Sequence, residues 1–86
     1  MKLNHEFELM ELGDEYVAVA VGEGAEAIKG VIKMNDSGAA IFRLLMEETT
    51  IEDIIKALQQ KYDQDDQVEN FVQLFLSDLK KAGLLE

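Results

Sequence analysis

The stretch Met34-Asn35-Asp36-Ser37-Gly38-Ala39-Ala40-Ile41-Phe42 constrains this chain more than any other. Before it the pattern is that of strands, and after it that of helices. The side-chain oxygens of Asn35 and Asp36 can accept the free N–H groups of a first helical turn. Glycine and two alanines follow, and then Ile41, Phe42, Leu44 and Leu45 at helical spacing. The small residues let the start of that helix lie close to whatever packs over it. A sheet that hands directly to a capped helix predicts an α+β fold.

Residues 7–12 fit a strand or an amphipathic turn, and Gly13-Asp14-Glu15 fits a turn. Residues 16–21 alternate strictly, with Val17, Val19 and Val21 on one face and Tyr16, Ala18 and Ala20 on the other. Residues 22–26 read as a hairpin loop. The alternation resumes over 27–34, where Ile28, Ile32 and Met34 share one face and Lys29, Val31 and Lys33 the other. A three-stranded antiparallel meander follows from this.

Three helices complete the expectation. The first spans Asp36 to about Glu47. The second opens at Thr50 with Asp53 three residues on, a capping-box spacing, and ends near Tyr62. The third opens at Asp65 or Asp66 and runs to about Ala82, where Gly83 stops it and Lys80 and Lys81 suit the helix dipole. Its apolar arc is wide. Val68, Phe71, Val72, Phe75, Leu79 and Ala82 form a central stripe, with Leu74 beyond one edge and Leu76 beyond the other. One buried face needs only the stripe. The surplus fits either a helix sunk deep in a small core or a second contact, a groove that something else fills.

Eighty-six residues without proline or an internal repeat predict one domain, residues 1–86. A chain of this size buries roughly 60–65% of its unfolded surface, so each large apolar residue counts. The absence of cysteine excludes disulfides and thiolate chemistry and fits a reducing compartment. No apolar run has the length of a membrane span, and the first residues do not form a secretory signal. The expectation is a cytoplasmic protein. Its net charge of −10 repels phosphate backbones and anionic membranes, which argues against a nucleic-acid or membrane partner.

Chemistry-bearing sets are few. His5 is the only histidine and lies where a terminus frays, and without a second imidazole or a thiol it builds no nitrogen–sulfur metal site. Gly22-Glu23-Gly24 lacks the sequel of a dinucleotide fingerprint, and Asp63-Gln64-Asp65-Asp66 lacks the central glycine of a calcium loop. Asp36-Ser37 at a helix start is similar to the serine site of acyl carrier proteins, but glycine follows it and strands precede it. No catalytic residue, metal site or cofactor is expected, and the chain is read as a non-enzyme. The third strand stands out. It carries Lys29 and Lys33 and no acid, within a strongly acidic chain. Lysines on a strand protect a sheet edge from aggregation. The same edge suits strand addition by a peptide.

At this point the residues resemble a known family. Met34-Asn35-Asp36-Ser37-Gly38-Ala39-Ala40-Ile41-Phe42-Arg43-Leu44-Leu45 is similar to the Leu-Asn-Glu-Thr-Gly/Ala…Ile-Trp-x-Leu-Leu signature of PqqD-like proteins, the peptide-recognition elements of ribosomally made, post-translationally modified peptide pathways. Thr50-Ile51-Glu52-Asp53-Ile54-Ile55 resembles the family's second helix, and Tyr62-Asp63 and Gly83-Leu84-Leu85 its end. The resemblance covers about residues 7–86. Met34 stands for leucine, Ser37 for threonine and Phe42 for tryptophan.

The resemblance implies a winged-helix-like domain, with a three-stranded antiparallel sheet followed by three helices. It implies that the leader of a precursor peptide adds as a fourth strand beside the third, in a groove bounded by the third helix. The peptide is then presented to a maturase, such as a radical S-adenosylmethionine (radical SAM) enzyme. Carried onto this chain, the docking edge is Ile28, Lys29, Gly30, Val31, Ile32, Lys33 and Met34. The helix side draws on Val68, Phe71, Val72, Leu74, Phe75 and Leu79. Two other readings remain: a winged-helix DNA-binding regulator, poorly served by the few lysines of the second and third helices, and a constitutive docking subunit of a larger enzyme.

Overall fold

A computed structural model describes residues 1–22, 30–62 and 66–85, and of Asp66 the backbone alone. Gly13 turns the chain through a φ of 64°, a conformation open to glycine at no steric cost. That turn joins β1 (Phe7–Leu12) to β2 (Glu15–Ala20) as an antiparallel hairpin in register from Phe7 opposite Ala20 to Leu12 opposite Glu15. β3 (Ile32–Met34) pairs antiparallel with the other side of β2, with Tyr16 opposite Met34 and Ala18 opposite Ile32. The sheet order is β1-β2-β3, so β2 is central and β3 has an outer edge. β3 is shorter than the strand expected over 27–34. Residues 23–29, with the hairpin loop, Ile28 and Lys29, lie outside the described residues.

Helices α1 (Asp36–Leu45), α2 (Ile51–Lys61) and α3 (Asp66–Lys81) follow. Among the described residues the architecture is thus α+β, three strands and then three helices. Capping side chains set two of the starts. Asn35 accepts the Gly38 N–H at 2.8 Å, and Thr50 accepts the Asp53 N–H at 3.1 Å. Each such cap stabilises by about 1 kcal/mol. Asn35 is the cap of α1, and Asp36 is its first helical residue.

The core forms on the alanine face of β2. Ala18 and Ala20 are buried together with Phe7 and Met34, and Leu9 and Ile32 pack against them partly buried. Ile41, Phe42 and Leu45 of α1 are fully buried there, each contributing roughly 1.5–3 kcal/mol. The Phe7 and Phe42 rings meet edge to face, with centroids 5.1 Å apart. Small residues on the sheet let α1 approach it closely, and this is why the alanines rather than the valines face inward.

Two expectations are corrected. The core stripe of α3 is Val68, Val72, Leu76 and Leu79, and Ala82 is exposed. The helix is rotated so that Leu76, placed beyond the stripe by periodicity alone, lies in the core, while Phe71 and Phe75 move to its flank. The amino-terminal segment is not frayed. The Leu3 N–H donates to the Leu45 carbonyl and the Asn4 N–H to the Leu84 carbonyl, both at 2.9 Å, and Leu3 bridges to Leu85. His5 is consequently half-buried.

Candidate functional site

The outer edge of β3 and the flank of α3 meet at the junction between β3 and α1. Gly38 makes the meeting possible. A β-carbon built on it would stand 2.9 Å from Cε1 of Phe75, 3.2 Å from the Asn35 Oδ1 and 3.3 Å from the Met34 Cβ. Phe75 therefore packs over the start of α1, just beyond β3. The Phe71 ring lies beside it, with centroids 6.1 Å apart. Both rings are half-buried, and Leu74 between them in sequence is 66% exposed.

The expected site residues divide by burial. Val31 and Lys33 are exposed, Gly30 is exposed, Ile32 is half-buried and Met34 is buried. On α3, Val72 is fully buried and Val68 and Leu79 nearly so, while Phe71, Leu74 and Phe75 present surface. Lys33 forms no ion pair with any described residue, so its cation stands free at the edge.

A carboxylate ties the junction together. The Tyr62 hydroxyl donates to Asp36 Oδ2 at 2.5 Å, the Tyr16 hydroxyl donates to Oδ1 at 3.3 Å, and the Lys61 ammonium lies 3.7 Å away. These contacts join β2, the first turn of α1 and the end of α2. The Tyr62 hydroxyl is the main cause that holds the Asp36 carboxyl below its ordinary range; the cost of partial burial opposes it, and Lys61 and Tyr16 assist. The Tyr16 hydroxyl is pushed up, first by burial, then by Glu11 and by its bond to Asp36. Beside this knot lies a concavity of about 220 Å³ lined by Ser37, Leu58, Tyr62, Gln67, Val68 and Phe71. Its lining is mostly apolar. Sequence reasoning missed Tyr16, Leu58 and Tyr62 here. Tyr62 marks a helix end and, with Asp63, part of the family resemblance, and no periodic signal marks a contact between residues 26 apart in sequence.

Among the described residues the arrangement offers an unpaired strand edge and a cation without an ion pair, flanked by an aromatic and apolar helix surface and an adjoining hollow. This is the geometry of a peptide-accepting groove. Among the described residues no cluster of His, Asp and Glu is placed to hold a metal ion, and no helix is long and apolar enough to cross a membrane.

The comparisons agree with this class of protein. The family model described as coenzyme PQQ synthesis protein D matches residues 12–85, and the chain belongs to the PqqD family. Among solved structures it is similar to TbiB1 in complex with the TbiA(beta) leader peptide, with 28% identity and a TM-score of 0.73. That match covers 100% of this chain and 95% of the other. The comparison with curated proteins finds no match.

Proposed function

We propose that this chain captures the leader region of a ribosomally made precursor peptide and presents the peptide to a modifying enzyme. The observation that carries this reading is the outer edge of β3, which no described strand pairs, with Lys33 lacking an ion pair among the described residues, beside the exposed flank of α3. A leader adds as a fourth strand along residues 30–34, which supplies backbone hydrogen bonds without regard to sequence. Selectivity comes from Phe71, Leu74 and Phe75 and from the hollow beside Tyr62. Acidic leader residues meet Lys33. Support comes from family membership and from the likeness to TbiB1, a protein solved with a leader peptide bound.

The partner enzyme is a maturase, with a radical SAM enzyme as the specific expectation. The chain does no chemistry of its own. Its described acids are all exposed, and its single imidazole has neither a thiol nor a second imidazole to work with. Titration of the isotope-labelled chain with the leader of a precursor encoded beside its gene tests the reading. Two-dimensional NMR shifts concentrated in residues 30–34 and 68–79 are the expected result. No perturbation there would leave a constitutive docking subunit as the better account.

A further inference from the structure

The sheet has a second face. Alternation from the register places Glu8, Met10 and Leu12 of β1, Glu15, Val17 and Val19 of β2, and Lys33 of β3 on the side away from the helices. Val31, one residue before β3, falls on the same side. None of these apolar residues belongs to the core cluster. The four most exposed large apolar side chains among the described residues are Met10 at 44%, Leu12 at 60%, Val31 at 53% and Leu74 at 66%. Three of them stand on this one face, around a central Val17 that is only 6% exposed. A contiguous apolar patch of this kind marks an interaction surface rather than ordinary scatter.

Its border is acidic. Glu8 and Glu15 lie on the face and Asp14 in the turn beside it, all exposed, and Lys33, opposite Val17, is the one cation on the face among the described residues. A second copy of the chain would bring these acids against themselves, on top of a net charge of −10 apiece. The complementary occupant is a protein surface with an apolar centre and a basic border.

The face is also continuous with the β3 edge. A strand added there puts every second side chain on this side of the sheet, next to Val31 and Lys33. A bound leader would therefore widen the patch. We infer that the open sheet face, centred on Met10, Leu12, Val17 and Val31 within its acidic border, is the surface on which the peptide-modifying enzyme docks, and that leader capture enlarges it. The inference rests on the leader-capture reading for the identity of the occupant. Its consequence is ordering: the enzyme binds the loaded chain more tightly than the empty one.

The test uses the full chain, the maturase encoded beside its gene, and a fluorescent leader peptide from the adjacent precursor. Met10→Lys with Leu12→Lys alters two exposed side chains and opposes a basic surface. The expected result is at least a tenfold loss of affinity for the enzyme, with leader affinity within twofold of the parent chain. Unchanged enzyme affinity overturns the inference. So does sedimentation equilibrium showing that the parent chain self-associates through this face and the variant does not. If the parent chain binds enzyme but no leader, leader capture falls, and the enzyme titration still decides the face. Should the variant fail to fold, hydroxyl-radical footprinting of the parent chain decides instead. Met10 oxidation slowed several-fold by the enzyme upholds the face, and unslowed oxidation overturns it.

Discussion

Phe75 lies so close to Gly38 that a β-carbon on the glycine would stand 2.9 Å from its ring. This contact locks α3 to the start of α1, next to the end of β3. Gly38→Ala should therefore lower stability although alanine is the better helix former. The propensity gain of up to about 1 kcal/mol is set against roughly 1–3 kcal/mol for overpacking. A net loss of about 1 kcal/mol would lower Tm by about 4–8 °C, readable by thermal unfolding. A more stable variant would mean that the ring moves aside freely.

Leu74 and Val72 share a helix but not a role. Leu74→Ala should leave stability within about 0.5 kcal/mol and weaken leader binding about five- to tenfold. Val72→Ala should cost on the order of 2 kcal/mol of stability, because its side chain is fully buried. Paired denaturation and anisotropy titrations separate the two. Equal leader affinity for Leu74→Ala and the parent chain would remove Leu74 from the groove.

Lys33 is an exposed cation with no ion-pair partner among the described residues of a strongly acidic chain. Lys33→Glu should weaken an acidic leader by about three- to tenfold at low salt, since exposed pairs contribute about 0.2–1 kcal/mol and reversal replaces attraction by repulsion. The difference should shrink at high ionic strength, where such charges are screened. A salt-independent loss would point to altered strand pairing instead.

Asp36 gives the fold an acid-sensitive joint. Its folded-state carboxyl is held low, chiefly by the Tyr62 hydroxyl, so the charged form is the one the native state favours. Such a group stabilises fully above its unfolded value near 4 and loses its contribution as pH falls through the lower folded value. Asp36→Asn should thus be less stable than the parent chain at pH 6, with the gap closing below about pH 4. Urea titrations at pH 6, 4 and 3 read this directly. A gap of constant size would show that shape rather than charge matters there.

Much of the fold was legible because local chemistry encodes it. Asn35 and Thr50 announce the starts of α1 and α2, and both caps form. The Gly13 turn and the alternation of residues 16–21 give the hairpin. Rotation about a helix axis is less legible. Leu76 and Phe75 are adjacent and both apolar, and only packing against the sheet and α2 decides which is core. The amino-terminal strap escaped notice because its bonds reach Leu45 and Leu84, far along the chain. In the candidate site, Lys33 and Leu74 were visible as departures from pattern, whereas Phe71 and Phe75 fell within the expected central stripe and only packing sets them on the flank. The bonds from Tyr16 and Tyr62 to Asp36 were not, since nothing near those residues signals a partner 20 or 26 positions away.

The strap also fixes where the chain's ends lie. With Leu3 bridged to Leu85, the first and last described segments run side by side. A polypeptide with adjoining ends can be spliced into a surface loop of a larger protein without stretching either one. Carried as such a cassette within an enzyme, the module would keep its β3 edge open and hold its captured peptide at a local concentration set by two short connectors rather than by diffusion.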